Sequence, residues 1–351
     1  MTMEKFECIT VCLDMAGCPN RCRHCWLGCT PNGRLTAEDL RFVAEAFRPF
    51  TDCLEVASWY REPDYLPNYQ ELWALENQLS DKRMVPHWEL MSVWRAVRDA
   101  EYIPWLASLG VKACQLTLFG GRNKTDEYTG RKGAYDENVQ VMDMLLAAGI
   151  APRIQVFVNK DNVGDLQVVV DLIRQRELEK RCDALGTPFT CFMHQGSCDG
   201  ENEQFYDRWI TAEDFVKFPQ MLVEYSLRHW QANSLEEIFG EPEQQLVARL
   251  SASGETRSCV EQTPTFFVDK DFNVYPNITT PAPHWQLGNL KTDGAQEVLR
   301  RYRNSQSPAQ KALLTVPLGE MVKKHGNPDS ERLFVESDYI DPIVKKWCQG
   351  T

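Results

Sequence analysis

The chain has 351 residues, a formal net charge of −12, 43% hydrophobic residues and 13 cysteines. Binding nucleic acid rests on neutralising phosphates, so an acidic chain without a basic stripe is a poor candidate for it. No apolar run approaches about 18 residues and no basic stretch precedes an apolar one near the start, which argues against a membrane span or a secretory signal. The odd number of scattered cysteines fits a reducing cytoplasm better than a disulfide framework.

The first element is a β-rich run, Phe6–Leu13, followed at once by Cys18, Cys22 and Cys25 in a C-x3-C-x2-C array. At this cysteine content chance would yield roughly 0.02 such arrays. Three thiolates on one short loop can hold three irons of a 4Fe–4S cluster and leave the fourth iron open to a substrate or cofactor. Two other readings stay open. With Cys29 the run becomes C-x3-C-x2-C-x3-C, a set for zinc or, one residue away in spacing, for the closed cluster of a ferredoxin. Four ligands in so short a run are cramped for zinc, and a ferredoxin is far shorter, so the three-ligand reading leads and Cys29 is read as a free thiol.

Strand-like and helix-like segments then alternate. Strands are expected at Leu54–Ser58, Glu89–Val93, Ala113–Phe119, Arg153–Val158 and Phe189–Met193. Helices are expected at Ala37–Phe47 (Thr36 as N-cap, Asp39 three residues on), Tyr69–Leu79, Arg98–Leu109, Tyr135–Ala148 and Leu166–Glu177. Six such units predict an α/β chain with a parallel sheet and outer helices: a partial, six-stranded TIM-like (β/α) barrel whose site lies on loops at the carboxyl ends of its strands. In the fifth strand Arg153, Gln155 and Phe157 share a face, and a polar Gln155 turned inward needs a ligand or Arg153 as partner. Cys191 and His194, at the carboxyl end of the sixth strand, are candidate catalytic groups that give or take a proton or hydrogen atom. Cys182, Cys191 and Cys198 otherwise read as buried structural thiols.

The segment from Phe205 to about Leu250 reads as two helices, with Phe215, Phe218, Leu222 and Tyr225 as an apolar stripe. A hairpin is expected around Lys270-Asp271-Phe272, and the end of the chain is helical. The boundaries drawn are 1–204 for the barrel, 205–258 for a helical bridge and 259–351 for a small α+β C-terminal extension.

In spacing and position the cysteine array resembles the signature of the radical S-adenosylmethionine (radical SAM) superfamily. The resemblance implies one 4Fe–4S cluster on Cys18, Cys22 and Cys25, with S-adenosylmethionine on the open iron. It also implies release of a 5′-deoxyadenosyl radical and a flavodoxin or ferredoxin type reductant. Trp26 stands near the family's aromatic position, which His24 occupies here, and is expected against the cofactor. Ser58-Trp59-Tyr60-Arg61-Glu62-Pro63 is similar to the family's Gly-Gly-Glu-Pro stretch without its glycines. Glu62 is expected to accept a hydrogen bond from the cofactor's ammonium, and Tyr60 to reach toward substrate. Leu116-Thr117-Leu118-Phe119-Gly120-Gly121, with Asp126 and Gly130-Arg131-Lys132-Gly133, resembles the fourth strand and loop of the branch that modifies peptides and metabolites. By that likeness Thr117, Arg131 and Gln155 are cofactor-binding candidates.

The C-terminal extension, from Cys259 through Tyr275-Pro276-Asn277 to Leu287-Gly288-Asn289, resembles the auxiliary-cluster modules called SPASM and twitch domains. Asn277 stands where a cysteine is expected, so a degenerate module without a second cluster is predicted. The expected function is hydrogen-atom abstraction from a small polar metabolite with a redox-neutral outcome: rearrangement, epimerisation or elimination. The first strand starts near residue 6, and no peptide-recognition domain is expected ahead of it. Radical modification of a ribosomally made peptide is the alternative within this chemistry. A non-catalytic iron–sulfur or zinc protein is the alternative outside it.

Overall fold

The computed structural model describes residues 4–15, 17–25, 34–57, 63–82, 91–276 and 281–350. Five parallel barrel strands fall within them: β1 (Ile9–Leu13), β2 (Leu54–Ala57), β3 (Ala113–Leu118), β4 (Ala151–Phe157) and β5 (Thr190–His194). β1 pairs with β2, and β3, β4 and β5 pair in sequence, all parallel. Parallel strands need a crossover of a dozen or more residues, which the intervening helices supply on the outside. The architecture is a partial TIM-like barrel.

Helices α1 (Ala37–Phe47) and α2 (Tyr69–Leu79) have the expected bounds. α1 starts where it does because Thr36 and Asp39 satisfy one another's backbone: Oγ1 of Thr36 accepts from Asp39 N at 3.2 Å, and the Asp39 carboxylate accepts from Thr36 N at 2.8 Å. Its buried face, Leu40, Val43, Ala44 and Phe47, lies in one core cluster with residues of β1 and β2.

Other segments differ from expectation. The third expected strand, Glu89–Val93, has its first two residues outside the described ones; Met91 and Ser92 are not in a strand, and Val93 opens a helix, α3 (Val93–Arg98), capped by Ser92. The single helix expected over Arg98–Leu109 is two, α3 and α4 (Tyr102–Ser108). Asp99 breaks them apart: its carboxylate accepts from Glu101 N at 3.1 Å and from Arg95 at 3.2 Å, bonds that compete with continuing the helix. Helices α5 (Arg122–Thr129) and α6 (Ala134–Ala147) follow β3, and α7 (Gln167–Gln175) and α8 (Leu178–Ala184) follow β4. The bridge is more broken than the two helices expected. It has 3-10 turns at Gly200–Arg208 and Ala212–Lys217, then α-helices Gln220–Trp230, Leu235–Phe239 and Glu243–Leu250. Pro219 and Pro242 sit immediately before two of these helices, where an interior proline would have cost a hydrogen bond.

The expected hairpin is present as Thr265–Val268 and Asn273–Pro276. It does not stand apart from the barrel, because Thr265–Val268 hydrogen-bonds along β1 in parallel register on the edge opposite β2. The C-terminal helices Pro308–Thr315, Leu318–His325 and Glu336–Gly350 pack with Phe119, Phe157 and Cys12 of the barrel, and with Phe267 of the hairpin. No helix among the described residues is long and apolar enough to cross a membrane.

The Thr36–Asp39 cap makes the fold testable away from the site. Thr36→Ala is expected to cost about 1 kcal/mol, seen as a lowered thermal midpoint with iron content unchanged.

Candidate functional site

The loop after β1 carries Cys18, Cys22 and Cys25, all half-buried and free of disulfides. It is fastened on two sides. Arg21 N donates to Thr129 O at 3.0 Å and Arg23 N to Tyr128 O at 2.8 Å, which ties it to the last turn of α5. From the other side Glu201 N donates to Cys25 O at 2.8 Å, and Gln204 Nε2 to Arg23 O at 2.9 Å. The Arg23 guanidinium lies over the rings of Tyr128 and Phe205, at 5.4 and 5.0 Å from their centroids, and pairs with Glu127. Gly130, which caps α5 with φ +63°, is where the loop comes closest. A Cβ there would stand 2.8 Å from Arg21 O, so only glycine fits both the left-handed backbone and the gap.

Cys18, Cys22, Thr117, Arg131 and Asn138 line a cleft of about 750 Å³ at the carboxyl ends of the strands. Arg131 reaches it with partners of its own. Its Nε donates to Asn20 Oδ1 at 2.8 Å, which tethers the cysteine loop, and Nη1 pairs with Glu137, a carboxylate that Arg98 shares. Asp126 orders the turn between α5 and α6, accepting from Gly133 N at 2.7 Å and Tyr135 N at 2.9 Å.

Below the cleft the barrel interior is polar. Gln155 Oε1 accepts from Gln115 Nε2 at 2.8 Å and from Thr117 Oγ1 at 3.3 Å. Its Nε2 lies 3.1 Å from His194 Nδ1, so the amide donates to that nitrogen and leaves the imidazole proton on Nε2. Gln155 is thus satisfied by Gln115, Thr117 and His194, where a ligand or Arg153 was expected. Gln115, two residues before Thr117 on β3, was missed in the sequence although their shared parity was readable.

Cys191 is a correction. It lies three residues from His194, so one strand turns the two to opposite faces. Its side chain is buried with Leu116, Ile154 and Val156 in the core between sheet and outer helices, away from the cleft. Tyr60, Glu62 and Trp26 lie outside the described residues, as do Cys29 and Asn277.

His24 sits where both phenylalanines at the strand ends meet, 4.6 Å from the Phe119 centroid and 4.5 Å from that of Phe157. Burial, with His194 nearby, holds its imidazole down to about 3. Among the described residues its Nδ1 has no hydrogen-bond partner. His194 also lines a second cavity of about 330 Å³ with Gln195, Trp209, Phe334 and Asp338. Burial, then the Asp199 carboxylate, raises the Asp338 carboxyl to about 6.

Residues 13–173 match the family model of the Radical SAM superfamily. This stretch is a radical SAM domain, and the chain is an enzyme with a 4Fe–4S cluster and S-adenosylmethionine as cofactors. Fe-coproporphyrin III synthase of Methanosarcina barkeri (strain Fusaro / DSM 804) is similar, with 27% identity over 84 residues. Those residues are 24% of this chain and 21% of the relative, so the chain matches about a fifth of that relative's length. Among solved structures, anSMEcpe with bound AdoMet and the Cp18Cys peptide aligns with a TM-score of 0.54 at 12% identity, over 98% of this chain and 99% of that one. The same protein with AdoMet alone gives 0.54 at 13% identity, over 98% and 100%. At these identities the likeness bears on the fold alone. The residues present fit the cofactors: three cysteines stand on one fastened loop, and Cys18, Cys22 and His24, whose Nδ1 has no hydrogen-bond partner among the described residues, line the cleft.

Gly130→Ala is expected to cost at least about 1 kcal/mol and to lower the iron retained per chain, measured by thermal midpoint and iron analysis. His194 gives the site a pH dependence. Burial holds its imidazole down to about 4 against 6.5 in the unfolded chain, so the unfolded chain takes up a proton between those values. Stability is then fully present above about pH 6.5 and falls as pH drops toward 4. His194→Gln keeps a hydrogen-bonding group without a proton to gain. In urea unfolding of anaerobic protein it should remove roughly 3 kcal/mol of that fall, and an unchanged pH slope would refute the assignment.

Proposed function

We propose that this enzyme abstracts a hydrogen atom from a small polar metabolite held at the mouth of the barrel, with a redox-neutral outcome. The observation that carries this reading is the polar layer Gln115, Thr117, Gln155 and His194 beneath the cysteine-lined cleft. These groups bond one another across the layer, and an apolar substrate could exchange none of those bonds. A hydroxylated or amino-bearing molecule would exchange bonds with them.

Cys18, Cys22 and Cys25 would hold the cluster. When bound, the cluster and S-adenosylmethionine supply one-electron cleavage of a sulfonium and a carbon radical that takes hydrogen atoms. The chain's own part is positioning and proton handling. Thr117 and Gln155 orient the ligand. The neutral His194 carries a donor proton on Nε2, and Asp338, whose carboxyl burial raises to about 6, lines the second cavity with it. Two groups whose surroundings push their proton affinities to different values suit acid–base work during epimerisation or elimination. Beyond residue 200 the sequence offers Cys259 and Cys348 as its cysteines, too few for a second cluster to take up an electron. That favours redox-neutral chemistry, with a flavodoxin or ferredoxin type protein supplying the first electron.

A second reading is modification of a ribosomally made peptide. It is supported by the likeness over nearly the whole chain to anSMEcpe, whose structure carries a bound peptide.

The test starts from anaerobic, reduced enzyme with S-adenosylmethionine. 5′-Deoxyadenosine should form, and the Cys18→Ala/Cys22→Ala/Cys25→Ala variant should form none. Its absence from wild-type protein with an intact cluster would end both readings. The small-molecule fraction of a cell extract should then stimulate turnover, and the stimulation should survive protease treatment. Stimulation that protease abolishes would transfer support to the peptide.

A further inference from the structure

The amino end of β1 and β2 carries a group of side chains that the cluster chemistry does not use. Cys8 and Cys53 lie side by side one step before the register pair Ile9–Leu54, where Ile9 N donates to Cys53 O at 2.8 Å. Their sulfurs are 2.8 Å apart. Glu55, two residues after Cys53, turns to the same face of the sheet, and its carboxylate and the two sulfurs all lie within 4.8 Å of one another. The carboxylate is aimed from behind: Thr10 Oγ1 donates to Oε2 at 3.1 Å, and Lys82 Nζ lies 3.1 Å from Oε1.

We propose that Cys8, Cys53 and Glu55 bind a divalent metal ion of the zinc class. Two thiolates and a carboxylate are a donor set this ion accepts, with water at the fourth corner of a tetrahedron. The charges agree. Two thiolates and Glu55 against the ammonium of Lys82 leave two negative charges in one half-buried spot, and a divalent cation cancels both. On binding, two metal–sulfur bonds and one metal–oxygen bond form while the two thiol protons pass to solvent. Thr10 and Lys82 then do for Glu55 what outer partners do in metal sites generally, fixing the direction of a ligating oxygen. A simple Cys8–Cys53 disulfide would use neither Glu55 nor its two supports.

This site is separate from the catalytic one. β1 rises about 3.3 Å per residue, so Cys8 lies roughly 17 Å from the Leu13 end, where the cysteine loop begins. It would staple β1 to β2 at the base of the barrel, on the edge that also carries the C-terminal hairpin on its far side.

The experiment uses the full chain, cluster-loaded and anaerobic, dialysed against Zn²⁺ and then against metal-free buffer, with zinc and iron measured together. Wild-type protein should keep about one zinc per chain. Cys8→Ser should bind it about 100-fold more weakly, and Glu55→Gln about 10-fold. Iron content and 5′-deoxyadenosine formation should stay at the wild-type level in both. Glu55 is partly exposed, so its variant still reads the site if Cys8→Ser folds poorly. A second measurement titrates Co²⁺ into the Cys18→Ala/Cys22→Ala/Cys25→Ala chain, where intense visible bands of tetrahedral thiolate coordination should appear and vanish on adding Cys8→Ser. Equal zinc retention in wild type and both variants overturns the proposal. So does anaerobic wild-type protein that takes up no zinc, whether Cys8 and Cys53 are then free thiols or a disulfide.

Discussion

The two backbone hydrogen bonds that bind Arg21 and Arg23 to the last turn of α5 are the constraint on which the site depends. A short loop of cysteines has little apolar surface of its own, and its internal bonds, Cys25 N to Cys22 O at 3.2 Å and Asn20 N to Cys18 Sγ at 3.4 Å, do not tie it to the barrel. The orphan carbonyls that every helix leaves at its carboxyl end provide the fixing. Tyr128 contributes twice: its carbonyl accepts from Arg23 while its ring lies under the Arg23 guanidinium, so one residue holds the loop by backbone and side chain at once. Gly130 is the condition for this contact, since any side chain there would push Arg21 away.

That docking in turn sets the character of the interior. It brings His24 between Phe119 and Phe157, closing an aromatic layer over the polar one formed by Gln115, Thr117, Gln155 and His194. Burial holds both imidazoles neutral far below their ordinary range. The polar layer is saturated through a single residue, Gln155, whose two ends face different partners. Rotating or replacing that amide changes the hydrogen-bonding state of β3 and β5 together.

Local signals were legible in the sequence and long-range ones were not. Thr36 with Asp39, and the apolar spacing after them, gave α1 to the residue, because cap and stripe act within one helix. The cysteine array announced its own chemistry for the same reason. Asp99 shows the opposite case: its propensity does not forbid a helix, and only its bonds to Arg95 and Glu101 reveal the break. The partners of Arg131, Asn20 and Glu137, left no trace in the sequence because they come from another loop and another turn. Cys191 was misjudged on information the sequence did hold, since parity alone separates it from His194.

The hairpin is the clearest long-range case. Its two strands and turn were readable from alternation and from Lys270-Asp271-Phe272, yet its parallel pairing with β1 joins residues about 255 apart and leaves no local trace. That pairing has a consequence for the site. β1 is flanked on both edges, by β2 and by Thr265–Val268, so the strand that launches the cysteine loop has no free edge on which to slip. Phe267, beside Cys12 in this register, also turns toward the aromatic cluster that contains Phe119, Phe157 and Tyr339. The C-terminal extension therefore acts on the barrel by packing and register, a role that needs its hairpin and helices and makes no demand on the cysteines its resemblance would have led one to expect.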